Sequence, residues 1–171
     1  RKTDNNINPG FRRMNYQISY GYRPGAIGRI AEMHGVYYNE QWGFDLFFEA
    51  KVATELSAFL NNFDITHDGF WVATHSDRII GSIAIVGQLV IKEARLRWFI
   101  IDQKFQGLKL GNMLMQEAVD FCRRVRFQRV YLTTFDGLDK ARHLYEKFGF
   151  RLSSQQEDAH WGKRMVEQEF E

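Results

Sequence analysis

Cysteine and net charge are both scarce in this sequence of 171 residues. Cys122 is the only cysteine, which excludes an internal disulfide framework, a cysteine-based zinc site and a paired-cysteine redox motif. Lysine and arginine number 23 and aspartate and glutamate 21, a net charge of +2, so the charge balance favours neither nucleic acid nor an anionic membrane as a partner. The five histidines show no metal-binding spacing, and we expect no metal.

Long apolar segments are missing as well. The longest, residues 79–91, is interrupted by Ser82 and Gln88 and is shorter than the roughly 18 residues that cross a bilayer. No basic start leads into an apolar signal segment, so the sequence predicts a cytoplasmic protein. Since domains average roughly 150 residues, the length favours one domain. Residues 1–14 are polar and aperiodic, which predicts a flexible tail before a single domain at 15–171.

The spacing of the apolar residues changes several times along the chain. Period-two, β-branched or aromatic segments predict strands at 16–22, 70–74, 79–86, 94–101, 129–135, 150–152 and 160–169. Three- and four-residue spacing predicts helices at 25–41, 46–61, 110–125 and 138–148. Antiparallel strands followed by a strand–helix–strand–helix segment favour an α+β or mixed α/β fold over an all-parallel sheet.

Residues 98–112, WFIIDQKFQGLKLGN, combine an apolar strand, a loop with two glycines and the start of a helix. A helix start offers unpaired N–H groups and the positive end of its dipole, and glycines let the backbone approach an anion closely. Lys109 adds a positive charge. These features predict a phosphate-binding loop, although an ordinary tight turn has the same residue types. Neither a Walker A nor a GxGxxG motif is present.

This loop and a second motif resemble those of the Gcn5-related N-acetyltransferase (GNAT) superfamily. The family's Gln/Arg-x-x-Gly-x-Gly/Ala loop corresponds to QGLKLG, in which Gln106 and Gly111 match and Lys109 stands where the family has glycine. Since Lys109 has a Cβ, we expect this position not to need a conformation restricted to glycine. The family's A-x-x-L-Y-x-x-x-G-F helix corresponds to residues 141–150, ARHLYEKFGF, and the two motifs lie in the family's order.

The N-terminal part is similar to a narrower group. Residues 21–49 resemble the acetyltransferase domain that bacteria fuse behind MarR-type winged-helix regulators, although this sequence contains no winged-helix segment. The superfamily resemblance implies a three-layer fold in which about four helices flank a central, mostly antiparallel and twisted sheet of about seven strands. It also implies that this sheet is splayed between its fourth and fifth strands.

The resemblance implies acetyl-CoA as the co-substrate. It assigns the pantetheine arm to backbone groups of Phe99, Ile100 and Ile101. It assigns the diphosphate to Gln106, Gly107, Leu108, Lys109, Leu110, Gly111 and Asn112. Thr134, Asp136, Ala141 and Tyr145 would border the thiol, although many family members have asparagine near the position of Asp136.

Tyr145 corresponds to the tyrosine that acts as general acid in many family members, whereas helical spacing alone would make it a packing residue. The general base stays open among a water relay and four acidic residues, Glu40, Asp45, Glu49 and Glu93. Glu40 is favoured because the region between the first two helices shapes the acceptor site in this family.

Arg95 and Arg97 lie within the predicted central strand, where period-two alternation places them on one face with Phe99 and Ile101. A charge in a central strand is costly unless it is paired. The two arginines therefore either form a salt bridge, with Glu49 or Glu93, or bind a substrate carboxylate, since arginine suits bidentate carboxylate binding. We also expect two first-helix residues at the acceptor site, Tyr38 and a buried, hydrogen-bonded His34.

The sequence therefore predicts an N-acetyltransferase that moves an acetyl group from acetyl-CoA to a primary amine by direct attack in a ternary complex. A carboxylate-bearing small molecule, such as an amino acid, is the expected acceptor. Two alternatives stay open: a non-catalytic acyl-CoA or amino-acid sensing domain of a transcriptional regulator, and a protein N-acetyltransferase. A MarR-type DNA-binding domain in a longer parent chain and a second copy in a homodimer are the macromolecular partners considered, with no direct contact to nucleic acid or membrane.

Overall fold

The computed structural model describes residues 15–107, 109–159 and 163–171, so the predicted tail at 1–14 lies outside these ranges. The described residues form seven strands and four α-helices in the predicted order. The strands are β1 (Tyr16–Tyr20), β2 (Gly69–His75), β3 (Arg78–Gln88), β4 (Glu93–Ile101), β5 (Arg129–Phe135), β6 (Leu152–Asp158) and β7 (Met165–Phe170). The helices are α1 (Ala26–Trp42), α2 (Leu46–Asn61), α3 (Leu110–Val125) and α4 (Asp139–Lys147), with a short 3₁₀ turn at Gln103–Phe105.

One seven-stranded sheet runs through the centre of the fold in the order β1-β2-β3-β4-β5-β7-β6. All neighbouring strands are antiparallel except β4 and β5, which run parallel. Helices α1 and α2 cover one face of the sheet, and α3 and α4 cover the other. The predicted mixed α/β fold with three layers is therefore confirmed.

Each face of the sheet has its own apolar core. Ile30 of α1 and Leu56 of α2 pack on Phe70 from one side, and all three are fully buried. On the other side, Leu114 of α3 packs with Ile83 of β3. Burial of such side chains contributes roughly 1.5–3 kcal/mol each, so the helices are held to the sheet mainly by their apolar stripes.

Local sequence explains the boundaries of several elements. Ser76 and Asp77 take positive φ angles of 48° and 62°, the geometry of the two-residue hairpin turn that joins β2 to β3. Helix α1 ends at Gly43, whose φ of 69° lets its N–H donate to the carbonyl of Asn39. Asp45 then begins α2, because its side chain accepts a hydrogen bond from the N–H of Leu46.

Strand β6 is where the sequence prediction was wrong. The apolar pattern placed a strand at 150–152, whereas the strand runs over Leu152–Asp158, with nearly all its side chains exposed. It is an edge strand that pairs only with β7, so no buried face imposes alternation on its sequence. The last strand was predicted at 160–169, but β7 begins at Met165, and residues 160–162 lie outside the described part of the chain.

We expect Gly87→Ala to lower the free energy of unfolding by about 3 kcal/mol. An added Cβ would clash with the backbone carbonyl oxygen of His67 and lie 2.6 Å from Cζ of Phe127. Gly28 is the matched control, since it lies on the exposed side of α1 and an added Cβ there would meet no atom within 4 Å. Gly28→Ala should raise the same free energy by about 0.5–1 kcal/mol. Urea denaturation measures both, and equal effects of the two substitutions would contradict this packing.

Candidate active site

The sheet opens between β4 and β5. The two strands pair only where Glu93–Arg95 face Arg129–Tyr131, and beyond these three residue pairs they diverge. From Leu96 onward, the edge of β4 that faces β5 has no strand partner among the described residues. Its N–H and C=O groups are therefore available to a ligand.

A β-bulge in β4 changes which side chains face the opening. The register with β3 shifts between Ser82 and Ala84, and Trp98 takes a left-handed φ of 47°. The Ser82 hydroxyl donates to the Trp98 carbonyl over 2.7 Å. Because the bulge inserts one residue into the alternation, Arg97 and Trp98 both face α1 and α2.

The bulge corrects the prediction that Arg95 and Arg97 share a face with Phe99 and Ile101. Phe99 and Ile101 pack on the core beneath α3, whereas Arg97 contacts Glu55 of α2. Period-two counting across the strand was wrong because it assumed an unbroken ladder.

A cavity of about 90 Å³ lies in the gap between the strands. Its walls come from β4, β5, α1, α2 and α4. Seven of the predicted site residues line it, namely His34, Tyr38, Arg95, Arg97, Phe99, Thr134 and Tyr145. The fold thus brings together residues that are as far as 111 positions apart in the sequence, from His34 to Tyr145.

Tyr145 is almost completely buried and still lines this cavity. Its ring packs against Phe99 and Phe170, with centroids 6.2 and 5.9 Å away. Burial raises the pKa of the Tyr145 hydroxyl, which therefore keeps its proton at neutral pH. Burial also raises the pKa of Tyr38, and the nearby Tyr145 adds to that shift. The two phenols are thus neutral proton donors at the same cavity.

His34 is buried and held as a neutral imidazole. Its Nδ1 lies 2.8 Å from the carbonyl oxygen of Ile30, so Nδ1 carries the proton and Nε2 is left as an acceptor. Its ring stacks on Tyr38 with an angle of 7° between planes. Burial lowers the pKa of His34 to about 4, and the charge of Arg97 acts in the same direction. Such a weakly basic group is a better hydrogen-bond acceptor than proton acceptor.

Glu55 is the charged cavity residue that the sequence analysis missed. Its carboxylate forms ion pairs with Arg97 and, at 2.7 Å, with Lys51. Burial alone would raise the pKa of Glu55, but the hydrogen bonds and charges of Lys51 and Arg97 outweigh burial and lower it. A signal was present, because Glu55 follows Phe48 and Val52 at helical spacing and so lies on the buried stripe of α2.

Arg95 lines the same cavity but has no ion pair within the described part of the chain. One guanidinium nitrogen lies 3.4 Å from the hydroxyl of Thr133, and the buried Nε has no hydrogen-bond partner. Burial, and then the charge of Arg97, lower the pKa of Arg95. The predicted salt bridges to Glu49 or Glu93 are not formed by either arginine, since Arg97 pairs with Glu55 instead.

The four predicted general bases do not line the cavity. Glu40 is exposed near the end of α1 and accepts a hydrogen bond from Gln103 at 2.9 Å. Asp45 caps α2, Glu49 lies against Gly35, and Glu93 contacts Arg129 at the closed end of the strand pair. Glu55 is the carboxylate among the described lining residues.

The predicted phosphate loop leads from the 3₁₀ turn into the first turn of α3. Gln106 donates to the carbonyl of Ile101 at 3.2 Å, and Gly107 has a φ of 80°. Lys109 also takes a left-handed φ of 65°. This left-handed conformation is favoured by glycine but is open to other residues, so the position does not need a conformation restricted to glycine, as predicted. Leu108 lies outside the described residues.

The remaining predicted loop residues differ in their surroundings. Leu110 is buried, and Asn112 accepts a hydrogen bond from Lys147 of α4 at 2.6 Å. A Cβ on Gly111 would lie 3.2 Å from Cδ2 of Leu144 and 3.4 Å from Cζ of Phe99. Gly111 therefore permits close packing of α3 on α4 and β4, besides any contact with an anion.

Three other predicted residues lie around or beyond the cavity. Ile100 is buried on the α1–α2 face of β4, and Ala141 packs on the core beneath α3. Asp136 is exposed after β5, where it accepts a hydrogen bond from Gln168 at 3.3 Å. In residues 15–107, 109–159 and 163–171, no three histidine, cysteine or acidic side chains converge in a way that would hold a metal ion.

Comparison with known proteins identifies the family. A model described as the acetyltransferase (GNAT) family matches residues 29–150, which is more than half of the chain. The chain belongs to this family. Its members use acetyl-CoA, and the superfamily prediction from the two motifs is thereby confirmed.

Individual relatives are more distant. The chain is 34% identical over 88 residues to the Xenopus laevis protein camello, described as a probable N-acetyltransferase, covering 49% of this chain and 39% of camello. It is 28% identical over 89 residues to the N-acetylaspartate synthetase of Danio rerio, covering 52% of this chain and 32% of that protein. The chain thus spans well under half the length of these relatives.

A solved structure extends the likeness to nearly the whole fold. An acetyltransferase of the GNAT family from Staphylococcus aureus superposes with a TM-score of 0.70 at 18% identity, covering 91% of this chain and 98% of that one. It shares the fold. Within the described residues, no helix of this GNAT chain has the length and apolar character needed to cross a membrane.

We expect the free energy of unfolding to decrease as the pH is lowered, and we expect His34 to cause part of that decrease. Its pKa is about 4 in the folded protein and about 6.5 in an unfolded chain. Between these values the unfolded chain binds a proton that the folded protein does not, so the free energy of unfolding falls as pH drops from 6.5 to 4. The contribution of His34 to this loss is about 3 kcal/mol.

Urea denaturation of the wild type and of His34→Gln at pH 7, 6, 5 and 4 measures this difference. The variant should lose less stability over that range. His143→Gln is the control, because His143 is exposed on α4, and its profile should follow the wild type. Parallel profiles for wild type and His34→Gln would show that this imidazole is not held neutral.

Proposed function

We propose that this GNAT domain transfers the acetyl group of acetyl-CoA to the amine of a small, carboxylate-bearing molecule in a ternary complex. The observation that carries the proposal is the cavity at the opening between β4 and β5, which is lined by the buried Tyr145 and by residues of β4 beyond its pairing with β5. Family membership supplies the reaction class, and the lining of the cavity supports the roles proposed for its residues.

The start of α3 fits the diphosphate of acetyl-CoA. Its first turn carries no acidic residue, and its first N–H groups have no carbonyl partner within the helix. Lys109 stands at this helix start, and Lys147 reaches Asn112 from α4. Positive charge, a helix dipole and free amide donors together suit a dianionic group. The unpaired edge of β4 beyond Arg95 suits the amide groups of the pantetheine arm.

Acetyl-CoA supplies a thioester whose carbonyl carbon an amine can attack. An N–H on the open edge of β4 polarises that carbonyl oxygen. Tyr145 donates its phenolic proton to the sulfur as the carbon–sulfur bond breaks, which its raised pKa permits because the hydroxyl arrives protonated. Since Glu40 does not line the cavity, we infer that a water relay, rather than direct contact with Glu40, takes the proton from the amine.

Two features support a carboxylate-bearing acceptor. The wall of the cavity nearest α2 carries two guanidinium groups and one carboxylate, Arg95, Arg97 and Glu55. The Danio rerio relative is named for synthesis of N-acetylaspartate, the acetylated form of a carboxylate-bearing amine. From the sequence alone we also propose a cytoplasmic setting and a homodimer as the assembly to test. The resemblance of residues 21–49 adds the proposal of a MarR-type domain in a longer parent chain.

Release of free thiol from acetyl-CoA, measured with amino acids and polyamines as acceptors, tests the proposal. We expect Tyr145→Phe to lower kcat about 100-fold while the Kd for coenzyme A stays within about threefold, because the hydroxyl acts on the leaving sulfur. Tyr37→Phe is the control, since Tyr37 is on α1 and does not line the cavity. If the protein binds coenzyme A but releases no thiol from acetyl-CoA with any acceptor, the result would favour the alternative of a sensing domain.

Two substitutions at Lys109 separate its backbone from its amine. We expect Lys109→Ala and Lys109→Gly both to raise the Kd for coenzyme A about tenfold, because each removes a charged hydrogen-bond donor to phosphate. Lys109→Gly should also be about 1 kcal/mol more stable than Lys109→Ala, since glycine takes the observed φ of 65° without strain. Calorimetry and urea denaturation measure the two effects. An unchanged Kd in both variants would show that the Lys109 amine does not bind the phosphate.

A further inference from the structure

The two arginines on the acceptor side of the cavity are in different electrostatic states. Arg97 forms an ion pair with Glu55, and its guanidinium also lies 4.2 Å from the centre of the Trp98 ring. Its positive charge is therefore compensated by the protein itself. A ligand carboxylate approaching Arg97 would also meet the negative charge of Glu55.

Arg95 forms no ion pair with any residue that the structure describes. Within the same residues its buried Nε has no hydrogen-bond partner, and its side-chain hydrogen bond to Thr133 is long, at 3.4 Å. A partly buried guanidinium without a counter-ion is costly, and an unsatisfied buried donor in a native fold calls for an explanation. Because Arg95 lines the cavity, an anionic ligand there can supply the missing counter-ion.

The charged groups around Arg95 come from three elements. Glu55 of α2 and Glu167 of β7 act on it favourably through their charge, without forming an ion pair with it, and Arg97 of β4 acts unfavourably. On the α2 side, the wall beside these charges is apolar, formed by Phe48 and Val52. The cavity therefore offers one guanidinium that forms no ion pair with the described residues, next to an apolar surface.

We propose that Arg95 binds the carboxylate of a monocarboxylic amine, and that Glu55 excludes a second carboxylate by neutralising Arg97. This inference rests on the proposed acetyl transfer and names the substrate class: amino acids with one carboxylate and an apolar side chain. One free guanidinium pairs with one carboxylate. A dicarboxylic acceptor such as aspartate would bring its second carboxylate against Glu55, where like charges repel. We therefore expect this chain to differ in its acceptor from the Danio rerio relative that is named for N-acetylaspartate synthesis.

The test compares amino acids with their decarboxylated amines in the thiol-release assay. The pairs are alanine with ethylamine, valine with isobutylamine and phenylalanine with phenethylamine, and aspartate and glutamate serve as the dicarboxylic acceptors. In the wild type, at least one amino acid should exceed its paired amine in kcat/KM, and the dicarboxylic acceptors should be poor. Arg95→Gln should lower kcat/KM for the amino acid about 50-fold, mainly by raising KM. The kcat/KM for the paired amine, which has no carboxylate, should stay within about threefold of the wild-type value.

Glu55→Gln should have the opposite kind of effect. By releasing Arg97, it should raise kcat/KM for aspartate or glutamate relative to the monocarboxylic amino acid at least tenfold. The double variant Glu55→Leu/Arg97→Met removes the ion pair as a unit, which proteins often tolerate, and should not show this gain. Arg123→Gln is the control for loss of a positive charge, since Arg123 is exposed on α3, and melting temperatures verify that each variant folds.

The outcomes separate this inference from the proposed function. One outcome is thiol release with ethylamine, isobutylamine or spermidine while no amino acid exceeds its decarboxylated amine in kcat/KM. That result would overturn the role of Arg95 and leave the acetyltransferase activity intact. An unchanged amino-acid to amine ratio in Arg95→Gln would do the same. An unchanged preference in folded Glu55→Gln would overturn the role of Glu55. Absence of thiol release with every amine would contradict the proposed function itself.

Discussion

The opening between β4 and β5 depends on how the two strands are held at their other end. Arg129 begins β5 and contacts three carboxylates: Glu93 of β4 at 3.4 Å, Glu169 of β7 at 2.6 Å and Glu171 after β7 at 2.6 Å. These contacts join β4, β5 and β7 where the parallel ladder has its only three residue pairs. With the strands joined at that end, they can diverge at the other without separating the two halves of the sheet.

Divergence alone would give a gap, and the bulge at Trp98 determines what faces it. The extra residue leaves Arg97 and Trp98 on the face covered by α1 and α2 and turns Phe99 toward α3 and Tyr145. Residues of one strand thus serve two sides of the cavity, with charge on the side of α2 and aromatic packing on the side of α4. The left-handed φ of Trp98 is an unfavourable conformation for a side chain of this size, and the buried ring and the Ser82 hydrogen bond hold it.

The sequence allowed the element order and most boundaries to be predicted, because apolar periodicity reports which face of a helix or strand is buried. Seven of the cavity residues were also predicted, among them Phe99, Thr134 and Tyr145 from the resemblance to the GNAT superfamily. It did not reveal the bulge, since an inserted residue leaves no mark in period-two counting. Strand β6 was misplaced for a related reason: its faces are exposed, and nothing requires an apolar pattern there. Glu55 could have been found, because a carboxylate on the buried stripe of α2 implies a partner such as Arg97.

The lysine in the predicted phosphate loop illustrates a different limit. Because Lys109 has a Cβ, the sequence predicted that this position needs no conformation restricted to glycine, but it did not predict that the turn into α3 requires a left-handed residue there. The geometry of the turn therefore outweighs the preference of the residue, at a cost of about 1–2 kcal/mol.

The uncharged and the charged polar groups of the cavity lie in different parts of its wall. Burial keeps Tyr145 and Tyr38 protonated and His34 neutral, so these three residues present donors and an acceptor without net charge. The charged lining residues lie on the wall near α2. There Lys51 and Arg97 lower the pKa of Glu55, so its carboxylate stays ionised at pH values at which an ordinary glutamate would be protonated. None of these shifts brings a lining group into the range between pH 6 and 8. The pH dependence of acetyl transfer in that range would then arise from the amine of the acceptor, which must lose its proton to attack.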